Sequence, residues 1–497
     1  MDEGAVTKNR FTTTPPASLS LRMGANQWSI LTNHLFPGDD DEHGAALLCG
    51  HAFVDGKMRL LVREVITAVD GVEYVPGTLG YRHLTGAFVT RQLRRASREG
   101  LVYLAVHNHY GTGKVAFSRP DMASHERGYP TLLSLNTNPV GALVIAHGAV
   151  AGDIWLSDGT RRSVDTTIVV GDAILELTDG YDSTTATAAA PQYARQALMF
   201  GDEGQQLLGR LKVSVVGAGG VGMLAVQALA RLGVGSLVVI DPDHVTISNL
   251  SRLPEARRSD AVGRFGDNVL GKVARRLGWN KPTLKVDLAR RVATGANPDI
   301  NFTGIEGDIA DDHVARQIID SDFVILAADT MLAREVVNQI SYQYLIPTLQ
   351  VGSKVVVSKG TGEVTDVFGV VRSLGTNPGC LRCNDLINIR LLQEEMVATK
   401  EQRKNQRYID EPDIAAPSVI TLNAMATGWA ANDFLHYAIG LGRPSIGYRL
   451  LRIRPVSEAR PQLTIQQPYE DPACHVCGKQ DYAVRGKGDA ADLPTRI

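Results

Sequence analysis

The sequence predicts an α/β protein of two domains: an N-terminal mixed α/β domain followed by a doubly wound parallel-sheet domain. Three observations carry this. In the first half, short apolar runs (AALLCGHAFV, KMRLLVREVI, LVYLAVHNH, GALVIAHGAVAGDIWL) are separated by Gly-bearing turns, with the helix-like TRQLRRASREG among them. In the second half, KVSVVGAGGVG, MLAVQALARLG, SLVVIDPD and DFVILAADT alternate strand with helix, the rhythm of a parallel sheet. Between the halves, DGYDSTTATAAAP lacks apolar periodicity and reads as a linker. The expected boundaries are 25–165 for the first domain, 179–191 for the linker, 192–480 for the second domain and 481–497 for a flexible tail.

Composition narrows the function. The chain has 497 residues, with 51 Lys plus Arg against 53 Asp plus Glu, a net charge of −2. It lacks the basic excess that neutralises phosphates, so nucleic acid is not the expected partner. No stretch approaches the ~18 apolar residues of a membrane span, and the opening MDEGAVTKNR holds no apolar targeting segment. A cytoplasmic protein with no membrane partner is expected. Four of the five cysteines fall in two Cys-x-x-Cys pairs, which favours metal over disulfide in a reducing compartment.

In the first half, the strand LVYLAVH runs into His107-Asn108-His109. Side chains alternate along a strand, so the two imidazoles face one side. That spacing alone describes two surface or packed histidines. Asp121 downstream, in Ser118-Arg119-Pro120-Asp121, adds a carboxylate and changes the reading. Two His and one Asp with a fourth position left for water is the open geometry of catalytic Zn²⁺. Zinc lowers the pKa of bound water to about 7, and a neighbouring carboxylate can act as general base.

This His-x-His…Ser-x-x-Asp arrangement resembles the JAMM metalloprotease motif, whose members cut peptide or isopeptide bonds after the C-terminus of ubiquitin-like proteins. The resemblance implies that His107, His109 and Asp121 hold zinc. It makes Glu42 in DDEHGAALLCG the general base, with Glu64 a weaker alternative, and Ser118 the hydroxyl that stabilises the oxyanion. The His109-to-Ser118 spacing is one residue longer than the family's, which YGTGK would absorb as a loop. His51, His83 and His125 read as structural, and the basic run Arg91 to Arg98 as a solvated helix face.

In the second half, Gly217, Gly219 and Gly222 follow a strand and open a helix, where bare backbone lets phosphates approach the helix N-terminus. Asp241, 19 residues after Gly222, is placed to hold a ribose hydroxyl. NAD and ATP both fit this much. Asn249, Arg252, the Gly271-Lys272 pair and Asp329 then put cations and a carboxylate beyond the strand ends, which favours ATP with Mg²⁺ over a dinucleotide.

Together with Tyr193-Ala-Arg195-Gln196 and GDEGQQLL, this set resembles the Rossmann-like adenylation domain of the ubiquitin-activating superfamily, which includes ThiF and MoeB, over about residues 193 to 480. The resemblance implies adenylation of the C-terminal glycine carboxylate of a ubiquitin-like protein, with pyrophosphate released. Gly217, Gly219 and Gly222 would wrap ATP, Asp241 hold the ribose, Asn249, Arg252 and Lys272 contact phosphates, and Asp329 bind Mg²⁺. Arg195 would reach into the partner subunit of a homodimer. Cys380, Cys383, Cys474 and Cys477 would close a structural Zn²⁺ site. Leu253 stands where many members have Gln, and the segment from Gly263 to Lys272 is longer than usual.

Cys49 sits in an apolar run and reads as inert, so no cysteine remains for thioester capture, and 384–416 has none. The acyl group then passes to a cysteine or sulfur carrier on another protein, to a hydroxyl such as Thr399 or Ser418, or directly to an amine. The expected whole is a fusion of a zinc metallopeptidase with an activating enzyme that act on one chain end. Its partner would be a conjugating enzyme or a sulfur donor. The rivals are a sulfur-transfer adenylyltransferase, a first domain that only docks its partner, and a dehydrogenase.

Overall fold

The computed structural model describes residues 16–75, 82–136, 138–181, 187–266, 268–277, 279–358, 361–375, 379–397, 417–441, 447–452 and 462–496. The chain divides into two compact units. One comprises Met1–Val170, Leu175–Thr184 and Gly486–Ala491; the other Gly171–Ile174, Thr185–Arg485 and Asp492–Ile497.

The first unit contains β1 (Ser18–Gly24), α1 (Ala25–Leu35), β2 (Gly44–Val54), β3 (Lys57–Thr67), β4 (Tyr74–Val75), β5 (His83–Leu84), α2 (Gly86–Glu99), β6 (Val102–Thr112), α3 (Arg119–Ser134), β7 (Val140–His147), β8 (Ala149–Trp155), β9 (Arg161–Ser163), β10 (Thr166–Val170) and β11 (Ile174–Leu177). Nine strands form one mixed sheet in the order β11-β10-β1-β3-β2-β6-β7-β8-β9. The unit therefore starts before residue 25 and runs past 165, because β1 and β10 are paired strands of its sheet.

Alternation along β6 decides what faces where. Val102, Leu104 and Val106 join the core cluster that includes Leu31 and Leu35 of α1, whereas Tyr103 joins Phe88 and Leu93 of α2 and Tyr129 of α3 in the opposite cluster. His107 and His109 continue the parity of Tyr103, so both fall on the face that carries α3. Helix α2 begins at Thr85, whose side chain accepts the Phe88 N–H, and ends at Gly100 in the left-handed region. Arg91, Arg94 and Arg98 on α2 are exposed.

The second unit contains α4 (Ala194–Arg210), β12 (Lys212–Val216), α5 (Gly220–Leu232), β13 (Ser236–Ile240), α6 (Arg258–Val262), α7 (Val269–Arg276), α8 (Lys285–Ala296), β14 (Asn301–Ile305), α9 (Asp312–Ala315), β15 (Phe323–Leu326), α10 (Met331–Gln343), β16 (Thr348–Val357), β17 (Val364–Leu374), α11 (Ile389–Val397), α12 (Ile420–Ile439), β18 (Tyr448–Arg452) and β19 (Gln462–Gln466). Its sheet runs β14-β13-β12-β15-β16-β17-β18-β19. The first five of these strands pair in parallel and the last three antiparallel.

From β12 the chain winds outward to β13 and β14, then returns to lay β15 on the other side of β12. The C-terminal ends of β12 and β15 therefore flank the switch point where a doubly wound sheet opens a crevice. The helix expected over Asp385 to Arg407 is described only as α11, because 398–407 lie outside the described residues. Among the described residues no helix is long and apolar enough to cross a membrane.

The expected flexible tail is a correction. Residues 486–491 pack in the first unit: Gly50 N–H donates to Gly486 O at 3.2 Å and Asp489 N–H to His51 O at 2.7 Å. Asp489 Oδ2 also accepts the Phe53 N–H at 3.0 Å. Residues 492–496 pack in the second unit, where Arg496 Nη1 donates to Asp308 Oδ2 at 3.0 Å and Asp492 O accepts from Gln339 Nε2 at 2.7 Å. Backbone hydrogen bonds hold a segment whose composition reads as loose.

Candidate functional site

In the first unit, β6 ends as Ser118 caps α3, and this meeting builds a cluster of donors. His107 Nε2 lies 3.6 Å and His109 Nε2 3.4 Å from Asp121 Oδ2. One ligand atom from each of the three residues lies within 4.8 Å of the others, a set that could hold a metal ion. His107 Nε2 is buried with no hydrogen-bond partner among the described residues. A bare imidazole nitrogen aimed at two other metal-type donors fits Zn²⁺. His109 is oriented from behind, its Nδ1 lying 3.1 Å from Ala116 O.

Glu42 stands on the loop before β2, with its Oε1 3.7 Å from His109 Nε2. Burial raises its pKa above the ordinary carboxylate value, against the pull of His107 and His109. Burial would also raise Asp121, but the His107 and His109 imidazoles beside it and the hydrogen bond from Ser118 Oγ hold it far below the usual range. The Asp121 hydrogen bond raises His109. Glu64 is not available as a base: Arg95 grips both of its oxygens at 2.8 and 2.7 Å.

Ser118 departs from its expected role. Its Oγ donates to Asp121 Oδ2 at 2.6 Å and accepts the Asp121 N–H, a capping box that spends the hydroxyl on aiming Asp121. His125, one turn beyond Asp121, is structural as expected. Its Nδ1 lies 2.7 Å from Asp153 Oδ2, and Arg161 Nε donates to Asp153 Oδ1 at 2.7 Å.

In the second unit, the crevice at β12 and β15 is lined by backbone. Gly217 has φ +93°, and a Cβ there would lie 2.8 Å from Ala328 N. A Cβ on Gly222 would lie 1.8 Å from Gly217 O, so positions 217 and 222 admit only glycine. Gly219, the residue capping α5, has open space on its Cβ side. The first N–H groups of α5 therefore face an approachable edge.

Asp241 closes this loop. Its Oδ2 accepts the Ala218 N–H at 2.7 Å and its Oδ1 the Asp243 N–H at 2.9 Å, while burial raises its pKa. The cation the structure brings to it is Lys285, at the start of α8, with Nζ 3.4 Å from Asp241 Oδ1 and 2.8 Å from Asp243 Oδ2. Lys272 is exposed on α7, and no side-chain contact ties it to Asp241 or Asp329 among the described residues. The signal that could have found Lys285 is its position opening the helix that precedes β14.

Asn249 and Arg252 sit on and just after a tight 3₁₀ turn. Asn249 Oδ1 accepts the Thr246 N–H at 3.1 Å, and Arg252 Nη1 donates to Ser248 O at 2.9 Å. Asp329 follows β15 and is exposed, immediately before Thr330, which caps α10 by accepting the Ala333 N–H. Glu395 from α11 accepts the Met331 and Leu332 N–H groups at 3.2 and 2.7 Å. Arg195 is exposed on the first turn of α4.

The four remaining candidates form a thiol cluster. Sγ separations are 3.6 Å for Cys380 and Cys383, 3.7 Å for Cys380 and Cys474, and 3.4 Å for Cys383 and Cys477. Four thiolates about 2.3 Å from a tetrahedral zinc would stand about 3.8 Å apart, so the donor set fits that ion. Cys49 is buried apart from them, and burial pushes its thiol up.

A sequence profile of the ThiF family matches residues 193–476. Similar proteins include the molybdopterin-synthase adenylyltransferase of Salmonella typhimurium, 27% identical over 58% of this chain and 96% of that protein. The SAMP-activating enzyme E1 of Haloferax volcanii is 31% identical over 39% of this chain and 60% of that protein. Among solved structures, E. coli MccB with MccA-N7isoASN aligns over 58% of this chain and 76% of its own at 19% identity, with a TM-score of 0.43. With the profile spanning more than half of its length, including the glycine loop, Asp241, Lys285 and Asp329, the chain belongs to the ThiF family.

Proposed function

We propose that the second unit adenylates the C-terminal carboxylate of a small carrier protein of the ubiquitin-like or sulfur-carrier type, using ATP. The observation that carries this is the joint placement of the Gly217 loop, the Asp241–Lys285 pair and Asp329 around one switch point in a ThiF-family domain. The α5 N-terminus and Lys285 hold phosphate oxygens, Asp241 holds the ribose, and Asp329 is the ligand for Mg²⁺, which would offset triphosphate charge. A carboxylate oxygen of the carrier attacks the α-phosphorus, the α–β bridging bond breaks and pyrophosphate leaves. Arg252 reaches the same phosphates once released from Ser248 O. In a homodimer, Arg195 reaches the partner subunit's site. ATP–pyrophosphate exchange that depends on a carrier ending in glycine tests this.

The cysteine inventory bears on the next step. Four of the five thiols are clustered and the fifth is buried, which speaks against thioester capture on this chain and leaves transfer to a sulfur donor or conjugating protein, to a hydroxyl, or directly to an amine. Cys380, Cys383, Cys474 and Cys477 would hold a structural Zn²⁺, which would pin the C-terminal segment without entering the chemistry.

A second activity is favoured by the cluster in the first unit: a JAMM-type zinc hydrolase that trims or removes the same carrier. His107, His109 and Asp121 would hold Zn²⁺, which supplies a Lewis acid for an amide carbonyl. Glu42, with its raised pKa, takes the proton of the attacking water and returns it to the leaving amine. Ser118 fixes the Asp121 carboxylate. Release of a reporter fused after the carrier's terminal glycine, lost in Glu42→Gln, tests it.

A further inference from the structure

Two arginines of the second unit, Arg334 within the field of Asp329 and Arg372 within the field of Arg334, lack ion-pair partners among the described residues. Arg334 lies on α10, one turn past Asp329, and Arg372 on β17; both are half-buried. Among the described residues neither guanidinium has a carboxylate within 4.0 Å. Arg334 Nε is buried with no hydrogen-bond partner. Arg372 Nη1 donates to the neutral Gln350 Oε1 at 2.5 Å, and its guanidinium stands 5.8 Å from the centre of the Tyr448 ring. Gln350, Arg372 and Tyr448 are register partners across β16, β17 and β18, so their side chains share one face of the sheet.

Burial, with Arg334's positive charge adding to it, pushes Arg372 down to about 10. Burial also lowers Arg334, against the pull of Asp329 and Glu395. Glu395 turns both of its oxygens to the α10 N–H groups and makes no ion pair with either arginine among the described residues, so its pull on Arg334 acts only at a distance. Two half-buried cations of like sign, with five donors each and one neutral acceptor between them, are a poor arrangement for stability. They suit an anion that arrives from outside. A planar guanidinium pair matches a carboxylate in particular.

We propose that Arg334 and Arg372 form a carboxylate-binding subsite that holds the carrier's tail as it enters the Asp329 crevice. The inference rests on the adenylation reading for the identity of the carrier, and names the chemistry of its tail. The carboxylate belongs either to the terminal glycine or to an acidic side chain shortly before it.

The test is calorimetric titration of the full chain, without ATP, with synthetic peptides ending in Gly-Gly. One set pairs a free-acid terminus with its amide; the other pairs a Glu with Gln at successive positions before the glycines. The subsite predicts that one of the two changes weakens binding about tenfold or more, the worth of a charge-assisted pair. The difference should vanish in Arg372→Met and Arg334→Met and survive in Arg372→Lys, which keeps the charge and reports on folding. Loss of the terminal carboxylate or of the side chain as the sensitive change identifies the source. Equal affinity across both pairs in the wild type, or no binding of any peptide, overturns the proposal. Because ATP is absent, a chain that binds peptides in this pattern but shows no pyrophosphate exchange would sink the adenylation reading and leave the subsite standing.

Discussion

Lys285 Nζ lies 3.4 Å from Asp241 Oδ1 and 2.8 Å from Asp243 Oδ2, which places a cation at the start of α8 beside the carboxylate that closes the glycine loop. On the adenylation proposal, the pair would supply an acceptor for the ribose and a charge for the phosphates.

Replacing Lys285 with Met should therefore reduce ATP–pyrophosphate exchange by about 100-fold, the scale of losing one preorganised charge at a reacting phosphate. Lys272→Met, on exposed α7, should stay within about twofold of wild type. Side-by-side exchange rates of the two variants check this.

The two lysines show how far the sequence could be read. Glycines at 217 and 222 between a strand and a helix are legible because close approach of backbone restricts the residue type directly. His107, His109 and Asp121 were legible because strand alternation and an N-cap set their directions. The Gly-Lys pairing marks Lys272 in the sequence, yet α7 carries it to the surface, while Lys285 further along is the lysine paired with Asp241. The packing of Gly486–Ala491 was illegible for another reason: backbone groups of Gly50, His51, Gly486 and Asp489 make it, with Gly486 and Gly488 at positive φ, and no side-chain pattern announces such contacts. Arg334 lies on α10 and Arg372 on β17, so no spacing within one element announces that the charge of one acts on the other.

Metal content should separate the two clusters. The purified chain should bind two Zn²⁺. His109→Ala should lose one with little change in melting temperature, and Cys380→Ser should lose the other and lower the melting temperature, because a thiolate site contributes its binding energy to folding. Elemental analysis with thermal melts reads both.

Glu42→Gln should keep Zn²⁺ at the His107 site and cut release of a fused reporter by about 10³-fold, the middle of the range for a general base. Pyrophosphate exchange should remain at the wild-type rate, since Glu42 belongs to the first unit. Measuring both activities on the one variant separates the two halves.

Acid should loosen the first unit through Asp153. Burial alone would raise this carboxyl, but hydrogen bonds from His125 and Arg161 hold it below its ordinary value. A group lowered on folding stabilises the fold above its unfolded pKa of about 3.9, and that contribution is lost as pH falls through the folded value. Asp153→Asn should cost about 1–3 kcal/mol at neutral pH and flatten the stability profile below pH ~4, as read from denaturant melts across pH.

The central claim is carboxylate activation at the β12–β15 crevice. ATP–pyrophosphate exchange on the full chain, with and without a carrier protein ending in glycine, tests it most directly, with Asp329→Ala as the matched variant. Exchange that needs the carrier's free terminal carboxylate and disappears in Asp329→Ala is the predicted result. Exchange absent with every processed carrier, or unchanged in Asp329→Ala, would contradict the account.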